Sequence, residues 1–66
     1  MELKWLEDFV TLAETSSFSR SAELRNVTQP AFSRRIKQLE LWLGAPLINR
    51  GTMPAELTPA GRSFLP

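Results

Sequence analysis

Between two apolar stripes of helical period lies a break of only three residues, Asn26-Val27-Thr28, followed at once by Gln29-Pro30. Asparagine tolerates the left-handed backbone that closes a helix, and threonine caps the start of the next. Pro30 falls in the first turn of that next helix, where its missing N–H costs nothing. The segment therefore predicts two helices joined by a turn of about four residues, the spacing of a helix-turn-helix.

The flanking segments fit that frame. Glu2 to Thr15 predicts an amphipathic helix with Leu6, Phe9, Val10 and Ala13 at i, i+3, i+4 and i+7, flanked by Leu3 and Trp5. Thr15-Ser16-Ser17 ends it, because small hydroxyl residues favour caps and turns. A short second helix is expected from an N-cap at Ser19 to about Arg25, presenting Phe18, Ala22 and Leu24. The third runs from its Thr28 cap to Leu43, with a core stripe of Phe32, Ile36, Leu39 and Leu43 and a stop at Gly44. Beyond Gly44 the period changes. Residues 45–50 and 55–57 predict two short strands around the loop 51–54, a small ribbon that needs helices to lean on. Thr58-Pro59 repeats the cap-and-proline signal, so a fourth helix is expected from Pro59, cut off within about two turns.

Chemistry is narrowed by what the 66 residues omit. With no cysteine and no histidine, disulfides, thiolate or imidazole metal sites and His-dependent triads are excluded, and no cofactor is expected. There is no phosphate-binding glycine loop, and the core is too small for a catalytic pocket, which argues against an enzyme. No apolar run approaches a membrane span and no signal peptide is evident, so a soluble cytoplasmic domain is expected. The net charge of +1 conceals an asymmetry. Residues 1–16 carry four acids against Lys4, net −3; residues 17–37 carry Arg20, Arg25, Arg34, Arg35 and Lys37 against Glu23, net +4. The basic block coincides with the two helices of the turn.

Helix, helix, tight turn, helix, ribbon is the order of a mainly α winged helix-turn-helix, in which the third helix enters the DNA major groove and the second braces it. With the core stripe facing inward, Arg34 points nearly opposite it, flanked by Pro30, Ser33 and Lys37, and Gln29 stands at the N-terminal tip. Glutamine can pair bidentately with adenine and arginine with guanine, while serine serves either. The Thr28 hydroxyl and the helix N-terminus suit a phosphate oxygen. Arg35 points well away from Ser33, so a phosphate or solvent role is expected, and the same is expected of Arg20 and Arg25. Glu40 is expected in a structural ion pair with a nearby arginine.

The stretches Ser17-Phe18-Ser19-Arg20-Ser21-Ala22, Val27-Thr28-Gln29-Pro30-Ala31-Phe32-Ser33-Arg34-Arg35-Ile36 and Leu39-Glu40 resemble the N-terminal domain of LysR-type transcriptional regulators. The likeness continues through Leu43-Gly44, Leu47, Arg50 and Leu57-Thr58-Pro59-Ala60-Gly61, nearly the whole chain. Finer features, including Lys4-Trp5-Leu6 and Arg25-Asn26-Val27, resemble a subgroup that includes hypochlorite-responsive regulators. The resemblance implies sequence-specific binding of double-stranded DNA by a bacterial, nucleoid-associated regulator. Residues 1–58 would form the DNA-binding domain, with a recognition helix over 28–43. Residues 59–66 would begin a truncated linker helix through which the full-length protein forms a dimer or tetramer. A C-terminal domain would sense a small molecule or oxidant. By this resemblance Gln29, Pro30, Ser33 and Arg34 match DNA-contacting positions, with Thr28 and Arg50 nearer phosphates.

Four positions depart from the family pattern. Arg25 stands where leucine is frequent, so the second helix is expected to be rotated or the arginine to snorkel. Ser16 replaces a common glycine, at a small cost if its backbone is left-handed. Met53 replaces a wing arginine used in the minor groove. Leu41 and Trp42 occupy usually polar places off the core stripe, and they are expected to pack on the linker helix or a partner subunit. A rival reading is a helical protein-interaction module whose partner surface is Leu41, Trp42 and the wing.

Overall fold

A computed structural model describes residues 1–66. Helix α1 spans Leu3–Thr15, α2 Phe18–Leu24 and α3 Gln29–Leu43; strands β1 (Ile48–Asn49) and β2 (Glu56–Leu57) follow, then α4, Pro59–Phe64. The strands pair antiparallel, Ile48 opposite Leu57 and Asn49 opposite Glu56. This is the expected order of elements, with several differences in detail.

On α1 the buried residues are Asp8, Phe9 and Leu12, with Trp5 packed at the edge of the core. The inward face is thus rotated from the expected stripe: Leu6, Val10 and Ala13 are only half-buried. Helix α1 closes at Ser16, whose φ of 57° is left-handed and whose N–H bonds Leu12 O at 2.8 Å. A serine holds this conformation at a cost of about 1 kcal/mol. The cap of α2 is Ser17, not Ser19: Ser17 has extended backbone and its hydroxyl accepts the Arg20 N–H at 3.1 Å. That start makes Phe18 the first helical residue and sets its ring edge-on to Phe32, centroids 6.0 Å apart. Leu24 is 53% exposed, because two residues past buried Ala22 lies the opposite face of a helix. The turn follows with Asn26 left-handed at φ 59°.

Helix α3 obeys its signals. The Thr28 hydroxyl accepts the Ala31 N–H at 3.2 Å, Gly44 closes the helix at φ 80°, and Phe32, Ile36 and Leu39 are fully buried. Each such side chain contributes about 1.5–3 kcal/mol by leaving water. The strands are shorter than expected because their flanks bond elsewhere. Leu47 N–H goes to Glu40 Oε2 at 2.8 Å, and beyond the cross-strand bond from Thr58 N to Leu47 O at 3.0 Å the Thr58 hydroxyl caps α4.

Helix α4 starts on the Thr58 cap, which accepts the Gly61 N–H at 3.0 Å, and its Phe64 ring lies 5.8 Å from Phe9. Gly61 is buried against the backbone of Leu47, and a Cβ there would overlap the Leu47 carbonyl oxygen. Gly→Ala in a free helix is ordinarily stabilising. Gly61→Ala is instead expected to destabilise by about 1–3 kcal/mol, since backbone cannot step aside as a side chain can. A denaturant midpoint that rises in the variant would contradict this packing.

Candidate nucleic-acid interface

The side of α3 opposite the core carries every recognition-helix residue singled out from the sequence. Thr28, Gln29, Pro30, Arg34 and Lys37 are exposed and Ser33 is half-buried among them. The fold places Gln29 at the helix tip and leaves Arg34, Lys37 and the Arg20 of α2 without any ion-pair partner. Free charge on an exposed helix face, with the helix rigidly seated behind it, suits a polyanion.

Arg50 lies across a gap from that tip. Its Nη1 donates to Glu40 Oε1 at 2.8 Å and its guanidinium lies 5.4 Å from the Phe18 ring centroid. An open cleft of about 560 Å³ separates wing from helices, bordered by Ser17, Phe18 and Ser19 on one side and Thr52 and Met53 on the other. Gln29 and Arg50 also border it, so the N-terminal tip of α3, the base of the wing and the start of α2 share one concavity. Met53 at the wing tip is 98% exposed. Leu41 and Trp42 are 66% and 58% exposed on α3, outside this concavity.

Two basic residues prove to be half-buried and paired within the chain. Asp8, completely buried, accepts from Arg25 Nε at 2.8 Å, Arg35 Nε at 2.6 Å and Arg35 Nη2 at 2.7 Å. Arg25 also reaches Glu7 Oε1 at 3.2 Å. The expectation of solvent or phosphate roles for Arg25 and Arg35 is therefore corrected. Helix α2 ends at Leu24, and Arg25, as its C-cap, turns its side chain back onto α1. Hydrogen bonds to Asp8 lead the effects that hold both guanidinium pKa values above the ordinary range, despite partial burial. The sequence did hold a signal: Asp8 is an acid at i+3 from Trp5 and i−4 from Leu12, on an otherwise apolar face.

Glu40 fulfils its expected ion pair and does more. Its carboxylate bonds Arg50 and the N–H groups of Leu47 and Ile48, tying the wing to α3. Burial pushes its pKa up, but the Arg50 and backbone hydrogen bonds outweigh this and leave it below the usual carboxylate value. A lowered folded-state pKa adds stability that is full above the unfolded value and is lost as pH falls through the folded one. Unfolding free energy is thus expected to decline as pH drops below about 4.5, with Glu40→Gln giving a flatter profile there. Parallel pH profiles for the two proteins would contradict the role of Glu40.

Three helices around a tight turn, a two-stranded wing and unpaired cations on the third helix define a winged helix-turn-helix of the nucleic-acid-binding class. Residues 3–62 match the family described as bacterial regulatory helix-turn-helix protein, lysR family. The chain belongs to that family, one of transcriptional regulators and not of enzymes. It is 50% identical over 64 residues to the HTH-type transcriptional regulator YjiE of Escherichia coli, covering 97% of this chain and 21% of that protein. Its fold matches Vibrio fischeri DarR, solved in complex with DNA, at a TM-score of 0.97 and 60% identity, over 98% of this chain and 22% of that one. HypT of Salmonella typhimurium, a hypochlorite-specific LysR-type regulator, matches at 0.91 and 49% identity, over 98% and 22%. The chain spans about a fifth of the length of the curated relatives it matches.

Proposed function

We propose that this domain reads double-stranded DNA in the major groove through the exposed face of α3, on behalf of a bacterial transcription regulator. The observation that carries the reading is the exposure of Gln29, Arg34 and Lys37 on a helix whose opposite face is fully buried. Gln29, Ser33 and Arg34 contact base edges and Pro30 packs beside them. Thr28, Lys37 and Arg50 hold phosphates, with Arg50 kept at the edge of the cleft by Glu40 and Phe18. DarR, solved with DNA, supports this use of the fold.

Residues 1–58 are the reading unit, and 59–66 begin the helix that pairs subunits in a dimer or tetramer. Exposed Leu41 and Trp42 fit a surface covered in that assembly. Pairing supplies the avidity that one small module lacks. The likeness to HypT makes an oxidant one class of signal for the whole regulator, sensed outside this domain. No helix here is long and apolar enough to cross a membrane, which fits work in the cytoplasm at the nucleoid.

Selection of this chain against a random duplex library is expected to enrich one short motif, and recovery of unbiased sequence at low salt would contradict base reading. The wing adds a second test. Its tip, Gly51-Thr52-Met53-Pro54-Ala55, carries no charge. Met53→Arg is expected to tighten binding to all duplexes roughly tenfold at low salt and to steepen the salt dependence by about one phosphate contact. A preference for narrow A·T-rich flanks follows from the same arginine. Unchanged affinity in the variant would place the wing away from DNA.

A further inference from the structure

We propose that Asp8 is a positioning residue for base reading: its buried carboxylate, clamped by Arg25 and Arg35, sets the angle at which α3 presents Arg34 and Ser33. The inference rests on the DNA-reading function above. Three N–H···O bonds of 2.6–2.8 Å converge on one carboxylate with no solvent exposure. Arg25 caps the end of α2 and Arg35 sits in the second turn of α3, so the two arginines lie on either side of the helix-turn-helix junction. One group on α1 therefore holds both helices of the reading unit.

An apolar residue at this core position would avoid the desolvation of a buried charge, so stability alone does not account for the carboxylate. Directed hydrogen bonds supply what apolar contact does not: they fix rotation as well as distance. Arg35 follows Arg34 directly, about 100° further around the helix. Fixing Arg35 toward α1 fixes the direction of Arg34 toward solvent. The clamp also withdraws two of the five cations in residues 17–37 from phosphate. Sequence-independent attraction is thereby reduced while base contacts are kept, which raises discrimination.

The test is Asp8→Asn, titrated with a library-selected duplex and a scrambled one below the variant's melting temperature. The proposal expects the ratio of the two affinities to fall about tenfold, the order of one lost base contact. Binding to the scrambled duplex should hold or strengthen, with a steeper salt slope as the arginines are released. A purely structural role predicts an unchanged ratio in the folded variant, and that result overturns the proposal. Should Asp8→Asn not fold, the triple variant Asp8→Leu, Arg25→Leu, Arg35→Met decides the matter, because apolar replacement of a buried ion cluster commonly preserves stability. Reduced discrimination in that variant supports the clamp, and full discrimination overturns it. A wild-type chain that fails to discriminate overturns the base-reading function and the clamp together. Wild-type discrimination that survives Asp8→Asn removes only the clamp.

Discussion

Replacing Asp8 with alanine is expected to cost about 3 kcal/mol and to lower the thermal midpoint by about 10–25 °C. The change leaves Arg35 beside a buried apolar site with no ion-pair partner, and Arg25 with the exposed Glu7 alone. Both side chains keep about a quarter of their surface, 25% and 23%, and can turn partly to water. That relief places the effect at the lower end of what removing one partner of a buried ion pair costs. Even so, a chain of 66 residues has only about 3–10 kcal/mol in total, so at least about a third of its stability would go. Thermal unfolding followed by circular dichroism is the check, and a midpoint within about 3 °C of wild type would show that the cluster is dispensable.

The second large effect falls on recognition with stability spared. Gln29→Ala and Arg34→Ala combined are expected to remove about 2–6 kcal/mol of preference for the selected duplex over a scrambled one, each bidentate base contact being worth about 1–3. Both side chains are exposed and neither takes part in a hydrogen bond or ion pair within the chain, so the fold should be untouched. Gln29 and Arg34 stand five positions apart on α3 and share no ion pair, which favours additivity. Competition between the two duplexes measures the loss. Intact preference in a folded double variant would place base reading elsewhere.

Local signals and pairings between distant residues differed sharply in how far the sequence disclosed them. Thr28, Pro30 and Gly44 delimit α3 by capping chemistry that acts within four residues, and the structure places all three as expected. Thr58 and Pro59 do the same for α4. The cap of α2 was misplaced because Ser17 and Ser19 have the same capping chemistry, and only the packing of Phe18 on Phe32 separates them. On α1 the buried face departs from the expected stripe of Leu6, Phe9, Val10 and Ala13. It passes through Asp8, which pattern alone rejects as a core residue because its compensation comes from Arg25 and Arg35, 17 and 27 positions away. The placement of the proposed recognition residues was legible for the opposite reason. They face solvent, so subtracting the core stripe of α3 leaves Gln29, Ser33, Arg34 and Lys37 on one side without reference to any partner. Arg50 is intermediate. Its partnership with Glu40 fits the expected ion pair, whereas its seat above Phe18 depends on how the wing folds back.

The most direct test of the central claim is a salt titration of this chain on a library-selected duplex beside its scrambled counterpart. Sequence reading by α3 predicts steep salt dependence on both duplexes, with tighter binding to the selected one throughout. Equal affinity for both at every salt concentration would contradict it.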